Sequence, residues 1–123
     1  MTNPSPPQKI FIVEDEMIVA FEMSDILEDM GFEVVGPSVH LDHAKDLAME
    51  EDIDIAFLDV NLGGGRTSRP VKEILKEREI PYVFITANDP SQVDFIEDKD
   101  RVLGKPVSSK DLLNALRKYY PHL

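Results

Sequence analysis

Five side chains in this sequence are of the types that handle phosphate and divalent cations, namely Glu14, Asp15, Asp59, Thr86 and Lys105. Each stands at or just beyond the end of a hydrophobic run: "KIFIV", "IAFL", "YVFI" and "RVLG". Carboxylates are hard oxygen donors that favour Mg2+ or Mn2+ over zinc, and the chain has no cysteine to supply a softer set. A carboxylate is also a nucleophile toward phosphorus, in chemistry that consists mostly of positioning and charge neutralisation. The Lys105 ammonium can pair with Asp59 at rest and with a phosphoryl oxygen afterwards, and the Thr86 hydroxyl can donate to another oxygen. Ala87 is small enough to leave the approach open. Two carboxylates ~4 Å apart repel by about 4 kcal/mol at an effective dielectric of about 20, so acids gathered in one place call for a cation.

Taken singly, these residues have plainer readings. "EDE" at 14 to 16 suits the start of any helix, where negative charge meets the positive end of the dipole. Asp59 could simply meet solvent at a strand end, and "ITA" and "GKP" are common strings. His40 and His43, three residues apart, have no third ligand nearby and read as surface histidines. The functional reading rests on the order in which the set recurs: acid pair, acid, hydroxyl, lysine.

The elements that must position the set follow from hydrophobic period. "KIFIVE" (9 to 14) reads as a buried strand, and 17 to 31 as a helix with Val19, Met23, Ile26, Leu27 and Met30 on one face and Gly31 to end it. A strand over 32 to 36 leads into a helix over 40 to 51 with Ala44, Leu47 and Ala48 inward. The third strand, 53 to 59, precedes the glycine-rich "LGGG", and a helix over 70 to 80 carries Pro70 in its first turn. A fourth strand over 82 to 86 is followed by a short helix within 87 to 98, capped by Asp89 and opened by Pro90. A fifth strand over 101 to 105 and a helix over 108 to 120, with Ser108 and Asp111 at capping-box spacing, close the pattern. Strand and helix thus alternate five times, which predicts an α/β fold. Short right-handed connections favour a parallel, five-stranded, doubly wound sheet with helices on both faces, in the flavodoxin-like order 2-1-3-4-5 if strands one and three are neighbours. Ligands in such sheets bind beyond the carboxyl ends of the strands, where strand order reverses, and that is where the five residues fall.

At 123 residues the chain holds one domain, over 9 to 120, after a proline-rich leader at 1 to 8 that reads as disordered. With 24 acidic against 13 basic residues the net charge is -11, which argues against direct nucleic-acid binding. No apolar run approaches the roughly 20 residues needed to insert in a membrane. The lack of cysteine fits a reducing cytoplasm.

Together "VEDE" (13 to 16), "FLDVNL" (57 to 62), "ITA" (85 to 87) and "GKP" (104 to 106) make the chain resemble a response-regulator receiver domain of two-component signalling, over about residues 8 to 120. The resemblance implies that Asp59 is the phosphoacceptor for a sensor histidine kinase or a histidine phosphotransfer protein. It implies Mg2+ held by Asp15, Asp59 and the Asn61 backbone carbonyl, with Glu14 acting mainly through a coordinated water. Thr86 and Lys105 would hold phosphoryl oxygens, and the Lys105–Pro106 bond is often cis in the family. Such a protein signals by binding a downstream protein partner, or by relaying or draining phosphoryl groups, and catalyses only its own phosphorylation and dephosphorylation. A stand-alone receiver is expected, because the terminal helix ends at "YYPHL" with no room for an output domain and the "PYVFITAND" stretch resembles the fourth strand of single-domain receivers. Two departures stand out. Val102 occupies the position where the family usually has a tyrosine or phenylalanine, so activation is expected to work through ordering of the glycine loop and the fourth helix. The glycine loop itself is expected to be mobile, a tight turn being the plainer reading.

Two rival readings remain. A phosphatase of the haloacid-dehalogenase type would also use a strand-end aspartate and Mg2+, but needs an acid two residues on, where this chain has Asn61, an amide. A pseudo-receiver that binds a partner without being phosphorylated would not need the intact acid set.

Overall fold

The computed structural model describes residues 7–123, so most of the expected leader lies outside the described residues. Gln8 already joins the fold, its N–H donating to Asp54 Oδ2 at 2.8 Å and its carbonyl accepting from Glu33 N–H at 2.7 Å. The elements run β1 (Lys9–Val13), α1 (Met17–Asp29), β2 (Glu33–Ser38), α2 (Leu41–Glu50), β3 (Ile55–Asp59), α3 (Arg69–Glu77), β4 (Tyr82–Thr86), β5 (Arg101–Gly104) and α4 (Ser109–Tyr119). The strands pair in parallel, as the alternation predicts, and in the order β2-β1-β3-β4-β5, which makes β1 and β3 neighbours.

β3 is buried at every position because both of its faces are covered, which is why its sequence is apolar without alternation. On one face Ile55 and Phe57 pack with Ile10, Ile12, Val83 and Ile85 beneath α1 and α4, through Met23, Leu27, Leu112 and Leu116. On the other, Ala56 and Leu58 pack with Phe11, Val13 and Phe84 beneath α2 and α3, through Ala44, Ala48, Val71 and Leu75. Each large apolar side chain fully buried in these layers contributes roughly 1.5–3 kcal/mol relative to exposure. Two layers of helix around one sheet therefore hold the strand ends in fixed register.

Three local expectations change. The helix expected within 87 to 98 is only a 3-10 turn, Pro90–Gln92, with Asp89 accepting the Ser91 N–H at 3.0 Å. Val93 turns extended (φ -107, ψ 107), and the chain dives to bury Phe95 against Phe84, a tertiary contact that overrides the weak helical preference of these residues. β2 runs on to Ser38 through a bulge, where Gly36 has φ +88 and a side chain would meet the Ser38 N–H at 2.7 Å, so only glycine fits. Gly36–Pro37 and Lys105–Pro106 are both cis. α3 stops at Glu77, not 80, because Glu79 takes φ +60 and closes a Schellman turn, Ile80 N–H donating to Leu75 O and Glu79 N–H to Lys76 O.

Candidate functional site

Glu14 and Asp15 follow β1, Asp59 is the last residue of β3, Thr86 the last of β4, and Lys105 follows β5. Parallel pairing in register brings these ends to one edge of the sheet, with Val13 opposite Leu58, Asp59 opposite Ile85 and Thr86 opposite Gly104. Glu14, Asp15 and Asp59 each offer a carboxylate oxygen within 4.8 Å of the others. Lys105 Nζ donates to Glu14 Oε1 at 2.8 Å and to Asp59 Oδ2 at 3.1 Å, and stands 3.8 Å from Glu16 Oε1. Lys105 is itself held by its N–H, which donates to Thr86 O at 3.0 Å. Thr86 is buried, and its hydroxyl accepts the Asn88 N–H at 3.0 Å; Ala87 beside it is exposed.

The "LGGG" stretch is a tight turn. Leu62 N–H donates to Arg66 O, Ser68 N–H to Val60 O, and Arg66 N–H turns back to Gly63 O, each near 2.9–3.0 Å. Asn61 faces Thr67 across this small antiparallel bridge, and neither flanking bond uses the Asn61 carbonyl. The turn passes close to the acids, since a side chain at Gly63 would come within 3.4 Å of Asp15 Oδ2.

Asp59 is only 4% exposed, and its carboxyl is pushed from 3.8 to about 9. Burial is the largest cause, followed by the neighbouring Glu14 and Asp15 carboxylates, while Lys105 works in the opposite direction. One ammonium does not neutralise three acids. Glu14 Oε2 is buried without a hydrogen-bond partner. An unsatisfied carboxylate oxygen in an oxygen-only donor set is what a hard divalent cation with its waters would satisfy, so the residues fit Mg2+ or Mn2+.

Two contributors escaped the sequence reading. Ser38 is buried at the end of β2 and its carbonyl accepts the Glu14 N–H at 3.0 Å, which fixes the first acid; the bulge that places it gives no periodic signal. Lys72 is 2% exposed within α3. Its position was legible, because 68, 71, 72 and 75 form one inward helical stripe and a lysine there is out of pattern.

Comparison with known proteins places this geometry. The model of the response regulator receiver domain matches residues 10–117, and the chain belongs to that family. Over 116 residues it is 30% identical to the transcriptional regulatory protein PdtaR of Mycobacterium tuberculosis, covering 89% of this chain and 55% of that protein. The chain thus spans about half the length of the curated relatives it matches. The solution structure of SdrG from Sphingomonas melonis is similar at 36% identity and TM-score 0.75, covering 92% of this chain and 96% of that one. SdrG in a BeF3-activated conformation is similar at TM-score 0.73, covering 91% and 95%. A receiver protein from Sinorhizobium medicae, at 21% identity and TM-score 0.80 over 93% and 94% of the chains, shares the fold. The family is one of signalling proteins, and no helix among the described residues is long and apolar enough to cross a membrane.

Proposed function

We propose that this chain is a phosphoacceptor of two-component signalling, its receiver unit spanning residues 9 to 120, with Asp59 as the modified residue. A sensor histidine kinase or histidine phosphotransfer protein supplies the group. An Asp59 carboxylate oxygen forms a bond to phosphorus as the P–N bond of the donor's phosphohistidine breaks, its electron pair returning to the imidazole. The observation that carries this reading is the convergence of Glu14, Asp15 and Asp59 with the Lys105 ammonium 3.1 Å from Asp59. Asp15, Asp59 and the Asn61 carbonyl would hold Mg2+, with Glu14 behind a water, and the bound cation supplies neutralisation of the transferring oxygens. Lys105, already paired with Asp59, shifts to a phosphoryl oxygen without leaving the site. The Thr86 hydroxyl turns from the Asn88 N–H toward another oxygen, and exposed Ala87 leaves the path clear. That a relative 36% identical has a BeF3-activated conformation supports the same chemistry, trifluoroberyllate having the charge and tetrahedral shape of a bound phosphoryl group.

The donor must cover the mouth of the site. Beside it α1 exposes Met17, Ile18 and Phe21 at 56–76%. Glu16 and Glu22 border them, which suits a helical donor surface with apolar side chains and a basic rim. The modified protein then binds a downstream partner or passes its phosphoryl group on, in the cytoplasm.

Incubation with phosphoramidate and Mg2+, followed by intact mass measurement, tests the assignment. One added phosphoryl is expected on the wild type and none on Asp59→Asn. An unmodified wild type would favour a partner-binding pseudo-receiver, and sustained phosphate release from many substrates would favour the phosphatase.

A further inference from the structure

Outside the acceptor site, Lys72 of α3 is the one charged residue among the described residues that is buried as a whole, and the Asp100 side chain is buried with it. Its ammonium donates to Phe95 O, to Asp100 Oδ2 at 2.9 Å and to Glu97 Oε1 at 3.3 Å, and lies 5.8 Å from the centre of the Phe84 ring. Asp100 is closed off around it, its side chain 4% exposed, and also accepts from the Tyr82 hydroxyl and the Glu97 N–H, both at 2.9 Å. A lysine loses several kcal/mol of hydration on burial, so such a knot persists only with its partners in place.

The knot has a specific position in the chain. Residues 87 to 100 connect Thr86 to β5, the strand that leads to Lys105, and they contain no element larger than the Pro90–Gln92 turn. Connections of this length without regular structure are uncommon and often functional. Lys72 grips the returning half at Phe95, Glu97 and Asp100. The Phe95 ring also packs edge-on against Phe84, centroids 5.7 Å apart, and Phe84 stands two residues before Thr86 on the same strand face. At the far end, Asp100 directly precedes β5. Thr86 at the end of β4 and Lys105 just beyond β5 are therefore attached to a segment whose path one buried cation sets.

We propose that Lys72 is a positioning residue for Asp59: by holding the returning half of the 87 to 100 connection against α3, it sets where the Thr86 hydroxyl and the Lys105 ammonium stand. It does not touch the acceptor. The effect on phosphorylation rests on the phosphoacceptor reading above; the effect on Thr86 does not.

The test compares Lys72→Met, which strands Asp100, with Lys72→Met/Asp100→Asn, which relieves it. The double variant is expected to regain thermal stability relative to the single one. It should nevertheless acquire the Asp59 phosphoryl from phosphoramidate and Mg2+ about threefold more slowly than wild type, or slower still, the scale of coupling through packed side chains. In the same sample without phosphodonor, the Asn88 amide, bonded to the Thr86 hydroxyl, is expected to exchange with solvent about tenfold faster, as expected for a locally loosened segment. Wild-type rates at both readouts in a stable double variant, or failure of both variants to fold, would make Lys72 a stabilising residue only and overturn the proposal. A wild type that accepts no phosphoryl group would overturn the phosphoacceptor reading alone, and Asn88 exchange would then decide the role of Lys72.

Discussion

Asp59 is held in a state that a bare protein tolerates poorly. Its carboxyl is raised to about 9 by burial and by the two neighbouring acids, so in the folded state the protonated form is favoured over much of the neutral range. The sign for stability follows from proton uptake: between the unfolded value of 3.8 and about 9 the folded protein binds more protons than the unfolded chain. In a chelator the contribution of Asp59 is therefore fully present below about 4 and is lost as pH rises toward about 9. Thermal melts in EDTA at several pH values should show this decline, Asp59→Asn should flatten it, and Mg2+ should raise the melting temperature of the wild type more than that of the variant at pH 8. Equal slopes in wild type and variant would refute this account of the site. Lys105 sits on the other side of the same balance. Replacing it by methionine leaves the acids without their ammonium, and the metal-free protein is expected to lose more than about 1 kcal/mol of stability in urea denaturation.

At the scale of elements, helix ends decide what the hydrophobic stripes leave open. Ser108 and Asp111 exchange side-chain and backbone hydrogen bonds at 3.1 Å in both directions, a capping box that their i, i+3 spacing already announced. Ser108→Ala should cost about 1 kcal/mol, read from a chemical melt. Glu79 occupies a left-handed position at the end of α3, where a side chain is strained. Glu79→Gly is expected to stabilise the fold by about 0.5–1 kcal/mol, and a loss of that size would mean that the Glu79 side chain has a role beyond the turn. α1 and α3 end in the same Schellman geometry, but only α1 does so with a glycine, Gly31, that the sequence makes visible. This is why the end of α1 could be anticipated and that of α3 overshot.

For the whole molecule, the sheet separates what moves from what stays. Val102 is half-buried opposite Phe84 and packs on the α2 and α3 side, in place of the aromatic that the family usually carries on β5. With no α-helix between β4 and β5 to reorder, the response to a phosphoryl mimic should concentrate in the turn at 60 to 68 and at 86 to 92. Residues 93 to 100, held by Lys72, should stay protected. Amide exchange with and without beryllofluoride measures this, and a change spread evenly over 87 to 100 would contradict it. The acidic, apolar-tipped α1 belongs to the same scale: Phe21→Asp should slow phosphoryl transfer from the donor protein more than labelling by phosphoramidate, since only the former needs the surface.

The number of strands, their alternation with helices and the residues at their ends could all be read along the chain, because a sheet covered on both faces needs continuous apolar runs and its ends need polar ones. The sequence alone also raised Asp59, Lys105 and their neighbours as a set, since their types and order recur in one family. Tertiary packing decided the rest. Only packing turned 87 to 98 from a helix into an irregular return of short turns, because burying Phe95 and satisfying Lys72 outweigh local preference. The same packing carried β2 on through its bulge to reach Glu14. Both outcomes depend on contacts between residues far apart in the chain, and local spacing carries no record of such contacts.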